Sequence, residues 1–122
     1  MNSNLLTYRF VVADNSFIVR SGLVAVLRHI PGLAATVFDV KTQESLRNYV
    51  VMHHTDVVIV NPMFDGLFDV KAFKAEMKLD DTRFIALSTA ILDQNVLSGY
   101  DEHFLLYDNP DDIFEKIKKV LM

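Results

Sequence analysis

Four short runs of consecutive apolar residues recur along this chain: Phe10-Val11-Val12-Ala13, Val57-Val58-Ile59-Val60, Phe84-Ile85-Ala86-Leu87 and Phe104-Leu105-Leu106. None alternates with polar residues. Such runs predict parallel strands buried on both faces. Thr36-Val37-Phe38-Asp39-Val40 is a fifth, weaker candidate.

Between the runs the apolar spacing changes to that of a helix. Val19, Leu23, Val26, Leu27 and Ile30 form one stripe behind Ser16, a potential N-cap, and Pro31-Gly32 ends it. Leu46, Tyr49 and Val50 follow Thr42, another potential cap, while Val70, Phe73 and Met77 make a third stripe. The segment from Asp93 to Tyr100 carries a short, weak fourth. The last helix has the clearest start: Asn109 caps, Pro110 takes the first position, and Asp111 and Asp112 suit the positive end of the dipole. Ile113, Ile117, Val120 and Leu121 give its apolar stripe. A strand and a helix thus alternate five times. The predicted fold is α/β, a (βα)5 flavodoxin-like three-layer sandwich whose parallel five-stranded sheet has the order 2-1-3-4-5. No repeat, low-complexity stretch or linker divides residues 1–122, so one domain is expected.

Composition narrows the function. Cysteine is absent, which excludes disulfides and thiolate metal sites. The net charge of −4 argues against a nucleic-acid-binding surface, which needs a basic patch. The tight basic cluster, Lys116, Lys118 and Lys119, falls at a helix end and is expected to be solvated there. Met1–Thr7 does not look like a signal peptide, and no apolar run is long enough to span a bilayer. A soluble, cytoplasmic protein is expected. His53 and His54 are adjacent and do not share a helix face, so no metal site is expected of them. No G-x-G-x-x-G, P-loop, H-E-x-x-H or G-x-S-x-G pattern occurs.

In a sheet of this order, ligands bind at the carboxyl ends of the strands, beside the switch between the first and third. Asp14-Asn15 and Asn61 stand there. Ser88-Thr89 ends the fourth strand and Tyr107 the fifth. The same positions carry a resemblance. Val12-Ala13-Asp14-Asn15-Ser16-Phe17-Ile18-Val19-Arg20-Ser21-Gly22-Leu23 resembles the V-A-D-D-H-P-x-x-R-x-G-L opening of response-regulator receiver domains of the LuxR/NarL type. Asp56 to Asn61 is similar to their third strand, Leu87-Ser88-Thr89-Ala90 to the end of their fourth, and Phe104 to Asp108 with Pro110 to Ile113 to their Y-L-L-K-D segment and last helix.

The departures bear on function. The resemblance implies a magnesium-binding acid at Asn15, a phosphate-accepting aspartate at Asn61 and a lysine at Tyr107. One carboxylate, Asp14, remains of three. A hard cation wants anionic oxygens, so magnesium is expected to bind weakly or not at all, and no cofactor is expected. An amide is no nucleophile for an acyl phosphate. Ser88 keeps the hydroxyl that the family uses to sense phosphate. Phe104 falls at the family's switch-aromatic position, and a core role is expected for it. Asn61 is expected to hydrogen-bond its neighbours and Tyr107 to cover the vacated pocket with its ring, while Asp14 is either a remnant of the site or a structural group that caps or braces the amide pair.

The loop from Asn61 to Gly66 and the stretch from Ser88 to Tyr107 are both shorter than the family's. The expectation is a pseudo-receiver: a non-enzymatic signalling domain acting through protein contacts, as a homodimer. The resemblance further implies a helix-turn-helix domain beyond Met122 in the full-length regulator. The alternatives are a stand-alone adaptor and a small-ligand or nucleotide binder of the same fold.

Overall fold

The computed structural model describes residues 6–122, so most of the Met1–Thr7 segment lies outside the described residues. Strands and helices alternate strictly: β1 (Leu6–Ala13), α1 (Phe17–Leu27), β2 (Leu33–Val40), α2 (Gln43–Met52), β3 (Val57–Val60), α3 (Val70–Met77), β4 (Arg83–Ser88), α4 (Gln94–Leu97), β5 (Glu102–Leu105) and α5 (Pro110–Leu121). All four strand pairings are parallel, and the order is β2-β1-β3-β4-β5. This is the (βα)5 flavodoxin-like fold. Among the described residues no helix is long and apolar enough to cross a membrane.

The unbroken apolar runs follow from burial on both faces. Every residue of β3 is buried. Side chains of a strand alternate between faces, so each strand feeds two cores. Phe10, Val12, Ile59, Ile85 and Phe104 pack under α1 and α5 with Leu27 and Ile117. Val11, Ala13, Val58, Val60 and Phe84 pack under α2 and α3 with Leu46 and Phe73. In the second core Phe68 stands 5.0 Å from Phe73 and 6.3 Å from Phe84, ring centre to ring centre. Phe64 and Phe68 come from the loop after β3.

The expected caps form. Ser16, Thr42 and Asn109 accept hydrogen bonds from the backbone N–H groups of Val19, Ser45 and Asp111. Asp69, not singled out in the sequence, caps α3 through the N–H of Ala72.

Several boundaries differ from expectation. Ile30 lies outside α1, because a residue before proline disfavours the helical region; it is buried all the same. β2 begins at Leu33 rather than Thr36. β5 ends at Leu105, where the N–H of Asp108 returns to the Leu105 carbonyl in a tight turn. The helix expected over Asp93–Tyr100 is a single turn. Gly99 ends it with φ +96°, and a Cβ there would lie 2.8 Å from Cγ of Lys71 and 3.0 Å from Cγ1 of Val70. Only glycine permits both that backbone and that approach to α3.

Tyr100, next in the chain, buries its hydroxyl with no hydrogen-bond partner among the described residues. Burial pushes the phenol well above its usual value, and the Asp69 carboxylate adds to the effect. An apolar ring of the same shape avoids an unbonded buried hydroxyl. Tyr100→Phe is therefore expected to leave urea stability unchanged or raise it by up to about 1 kcal/mol. Phe84→Ala, at the centre of the aromatic cluster, is expected to cost about 3–5 kcal/mol in the same titration.

Candidate functional site

β1 and β3 lie side by side, with Ala13 opposite Val60. Their next residues, Asp14 and Asn61, therefore emerge together at the carboxyl edge of the sheet. The amide Nδ2 of Asn61 donates to Oδ2 of Asp14 at 3.1 Å. The other carboxylate oxygen of Asp14 accepts the N–H of Ser16 at 2.7 Å. The Asn61 carbonyl oxygen accepts the N–H of Met63 at 2.9 Å. Asp14 is buried. Each oxygen of its carboxylate and both ends of the Asn61 amide thus have an internal partner. Asn61 hydrogen-bonds its neighbours, and Asp14 bonds the amide. Asn15 is exposed and lies outside this network.

Ser88 and Tyr107 hold the neighbouring loop. The Ser88 hydroxyl donates to the Ala90 carbonyl at 2.5 Å and accepts the Ala90 N–H at 3.0 Å. The Tyr107 hydroxyl donates to the Thr89 carbonyl. The loop after β4 is thereby closed on itself and tied to the loop after β5. Tyr107 does not plug a pocket as expected: its side chain is 72% exposed. It stands in the turn after β5, held at its tip alone. Phe104 is fully within the core, as expected. It also contributes to the wall of a cavity of about 250 Å³ between β4, α4 and α5, with Ala86, Leu92 and Leu97.

Arg20 is a site residue that sequence reasoning left without a role. It lies one turn into α1, and its guanidinium donates to the Asp14 carbonyl at 2.8 Å and to Asp39 at 2.8 Å. The cation thus braces the backbone beside the Asp14–Asn61 pair and ties it to the end of β2. Its place in the Asp14-to-Leu23 motif was the available signal. Elsewhere, His53 and His54 part: His53 packs near Tyr49, and His54 lies 3.1 Å from Asp56.

The donor set does not fit magnesium. Both carboxylate oxygens of Asp14 are engaged, and its neighbour Asn61 presents an N–H donor where a cation needs an oxygen. Among the described residues no three His, Asp or Glu side chains converge on one point. The apolar side chains around this edge are conspicuous instead. Phe17 and Ile18 at the start of α1, Met63 and Leu67 after β3, and Ile91 after β4 are all exposed.

No protein-family model matches the chain, and no curated protein matches it in sequence. Solved structures do. A response-regulator-receiver-modulated diguanylate cyclase from Pelobacter carbinolicus superposes with a TM-score of 0.77 at 19% identity, over 93% of this chain and 92% of that one. A response regulator from Thermotoga maritima gives 0.76 at 19% identity, over 95% and 98%. A LuxR-family DNA-binding response regulator from Staphylococcus aureus gives 0.76 at 16% identity, over 93% and 98%. The chain therefore has the fold of the response-regulator receiver domain.

Asn61→Asp tests the amide's part in the network. Two carboxylates would meet where an amide now donates, and their repulsion favours uptake of a shared proton in the folded state. The folded pair would hold that proton more tightly than the unfolded chain. The variant is thus closest to wild type in acid and loses stability as pH rises through the pair's raised value. At pH 7 the expected loss is about 1–3 kcal/mol, read by urea titration at a series of pH values.

Proposed function

We propose that this chain is a receiver-like signalling domain that works without aspartyl phosphorylation, through protein–protein contacts that include dimerisation. One observation carries the reading. At the position that the resemblance assigns to the phosphate acceptor stands an amide, Asn61, which is hydrogen-bonded to the neighbouring acid Asp14. Nucleophile, second metal-binding acid and lysine are replaced by Asn61, Asn15 and Tyr107. The residues that would sense a phosphate are engaged otherwise, Ser88 with Ala90 and Phe104 in the core. The exposed apolar side chains at the same edge supply contact surface in place of chemistry.

The LuxR/NarL-type resemblance makes transcription regulation the favoured output, with DNA bound by a helix-turn-helix domain outside these residues rather than by this acidic domain. The proposed location is the cytoplasm, and no catalytic step or cofactor is assigned to the chain.

Incubation with a small phosphoryl donor and magnesium, followed by intact-mass measurement, is expected to leave the mass unchanged. A stable gain of one phosphoryl group would overturn the reading. The double variant Asn15→Asp with Asn61→Asp restores the three-acid set. It is expected to bind magnesium measurably by calorimetry under conditions where the wild type shows no heat.

A further inference from the structure

The two edges of the sheet are treated differently by the chain. β5, at one edge, is four residues long. In a parallel ladder alternate residues turn their backbone groups to the neighbouring strand and the others turn outward. The Leu106 N–H reaches the Ser88 carbonyl, so the outward-turned residues of β5 are His103 and Leu105. All four of their outward groups have partners from this chain. The His103 N–H is bonded by a carboxylate oxygen of Glu102 at 2.9 Å, and the His103 carbonyl by Nζ of Lys116 at 2.9 Å. The Leu105 N–H goes to Asp108 at 2.9 Å, and the Leu105 carbonyl receives the Asp108 N–H at 3.0 Å. Lys116, expected as part of a solvated helix end, is spent on sealing this edge, and Lys119 lies 3.6 Å from Glu102.

β2, at the other edge, has none of these devices. It is eight residues long and pairs with β1 along its whole length. The Asp14 N–H reaches the Val40 carbonyl, which turns Val40 inward and leaves Leu33, Ala35, Val37 and Asp39 facing out; the Leu33 N–H is bonded to the Ile30 carbonyl at 3.2 Å, so the open groups lie on Ala35, Val37 and Asp39. Among the described residues no group of this chain bonds their outward N–H or carbonyl groups. The strand carries no lysine and no proline, and its one charge, Asp39, is neutralised by Arg20 at 2.8 Å. Edge strands that stay unpaired are ordinarily short, charged, bulged or covered. β5 follows that rule and β2 breaks it.

Beside the open edge runs an aromatic series. Phe38 stacks on Tyr49 with ring centres 4.6 Å apart, and Tyr49 lies 4.7 Å from His53. Phe38 is about half exposed there.

We infer that β2 is the dimerisation edge: a second copy adds its β2 antiparallel, joining two five-stranded sheets into one. The inference rests on the dimerisation reading above and assigns its face. A second copy is the occupant because an antiparallel pair about a two-fold axis is self-complementary. Each outward N–H meets a carbonyl of the same strand in the partner. No unpaired charge of β2 opposes the approach, and the two Phe38–Tyr49 stacks add apolar area beside the joint.

The test uses the full chain. Sedimentation equilibrium across concentration is expected to show a dimer. Ala35→Pro removes one outward donor per protomer without touching the β1 ladder, and proline is tolerated at such a position. It should raise the dimer Kd about 30-fold, two lost hydrogen bonds across the axis. Thr36→Lys, on an exposed position, should weaken the dimer likewise by bringing like charges together. Circular dichroism checks that both variants fold. Amide exchange on the wild type needs no variant: the N–H groups of Ala35, Val37 and Asp39 should be protected when dimeric and lose protection on dilution. A dimer that persists in both folded variants overturns this face and leaves dimerisation standing. A monomer at every concentration overturns both. Protection of those amides in a monomer overturns the inference as well, since the chain then covers its own edge.

Discussion

Burial of the central strands on both faces is the constraint from which the rest follows. β1, β3 and β4 have a helix layer above and below, and no residue of β3 reaches solvent. Strands of that kind must be parallel and joined by crossovers, which fixes the alternation of strand and helix. The crossovers bring the ends of β1 and β3 together where the strand order reverses. Asp14 and Asn61, 47 residues apart in the chain, are neighbours for that reason alone. What sits at the edge is set by the fold, and what it can do is set by the two residue types placed there.

Those residue types favour structure over chemistry. An acid beside an acid would demand a cation or a shared proton. An acid beside an amide satisfies itself, and the Asp14–Asn61 bond with its Ser16 and Met63 partners makes a closed network at the head of the sheet. Arg20 supports it from α1 by bonding the Asp14 carbonyl. Ser88 and Tyr107 hold the next loop in one arrangement. The carboxyl edge of the sheet is thus internally hydrogen-bonded, with exposed apolar side chains on the surrounding loops and an unsealed strand at β2.

The sealing of β5 and the openness of β2 show how the same fold treats two equivalent liabilities. Every outward backbone group of β5 is met by Glu102, Lys116 or Asp108. Three of these bonds use side chains that composition alone counts as surface charge. An unsealed eight-residue strand in the same molecule is therefore a departure from the chain's own practice.

The sequence by itself determined the architecture, because a solid apolar run and a helical stripe report burial directly, residue by residue. It also determined the main helix starts at Ser16, Thr42 and Asn109, since a cap bonds within three residues of itself. The strand-end positions Asp14, Asn15, Asn61, Ser88 and Tyr107 were legible for the same reason, as the ends of readable runs. Only the tertiary structure decided what depends on groups distant in the chain. Gly99 follows the one-turn α4 with a backbone and an approach to α3 that a side chain would not allow. Phe64 and Phe68 enter the core from a loop although their spacing with Leu67 is that of a helix. Tyr107 reaches Thr89 with its hydroxyl and leaves its ring in solvent. Lys116 bonds the His103 carbonyl of β5. Each is a contact between segments that the fold brings together, and local spacing carries no record of a partner that arrives from elsewhere in the chain.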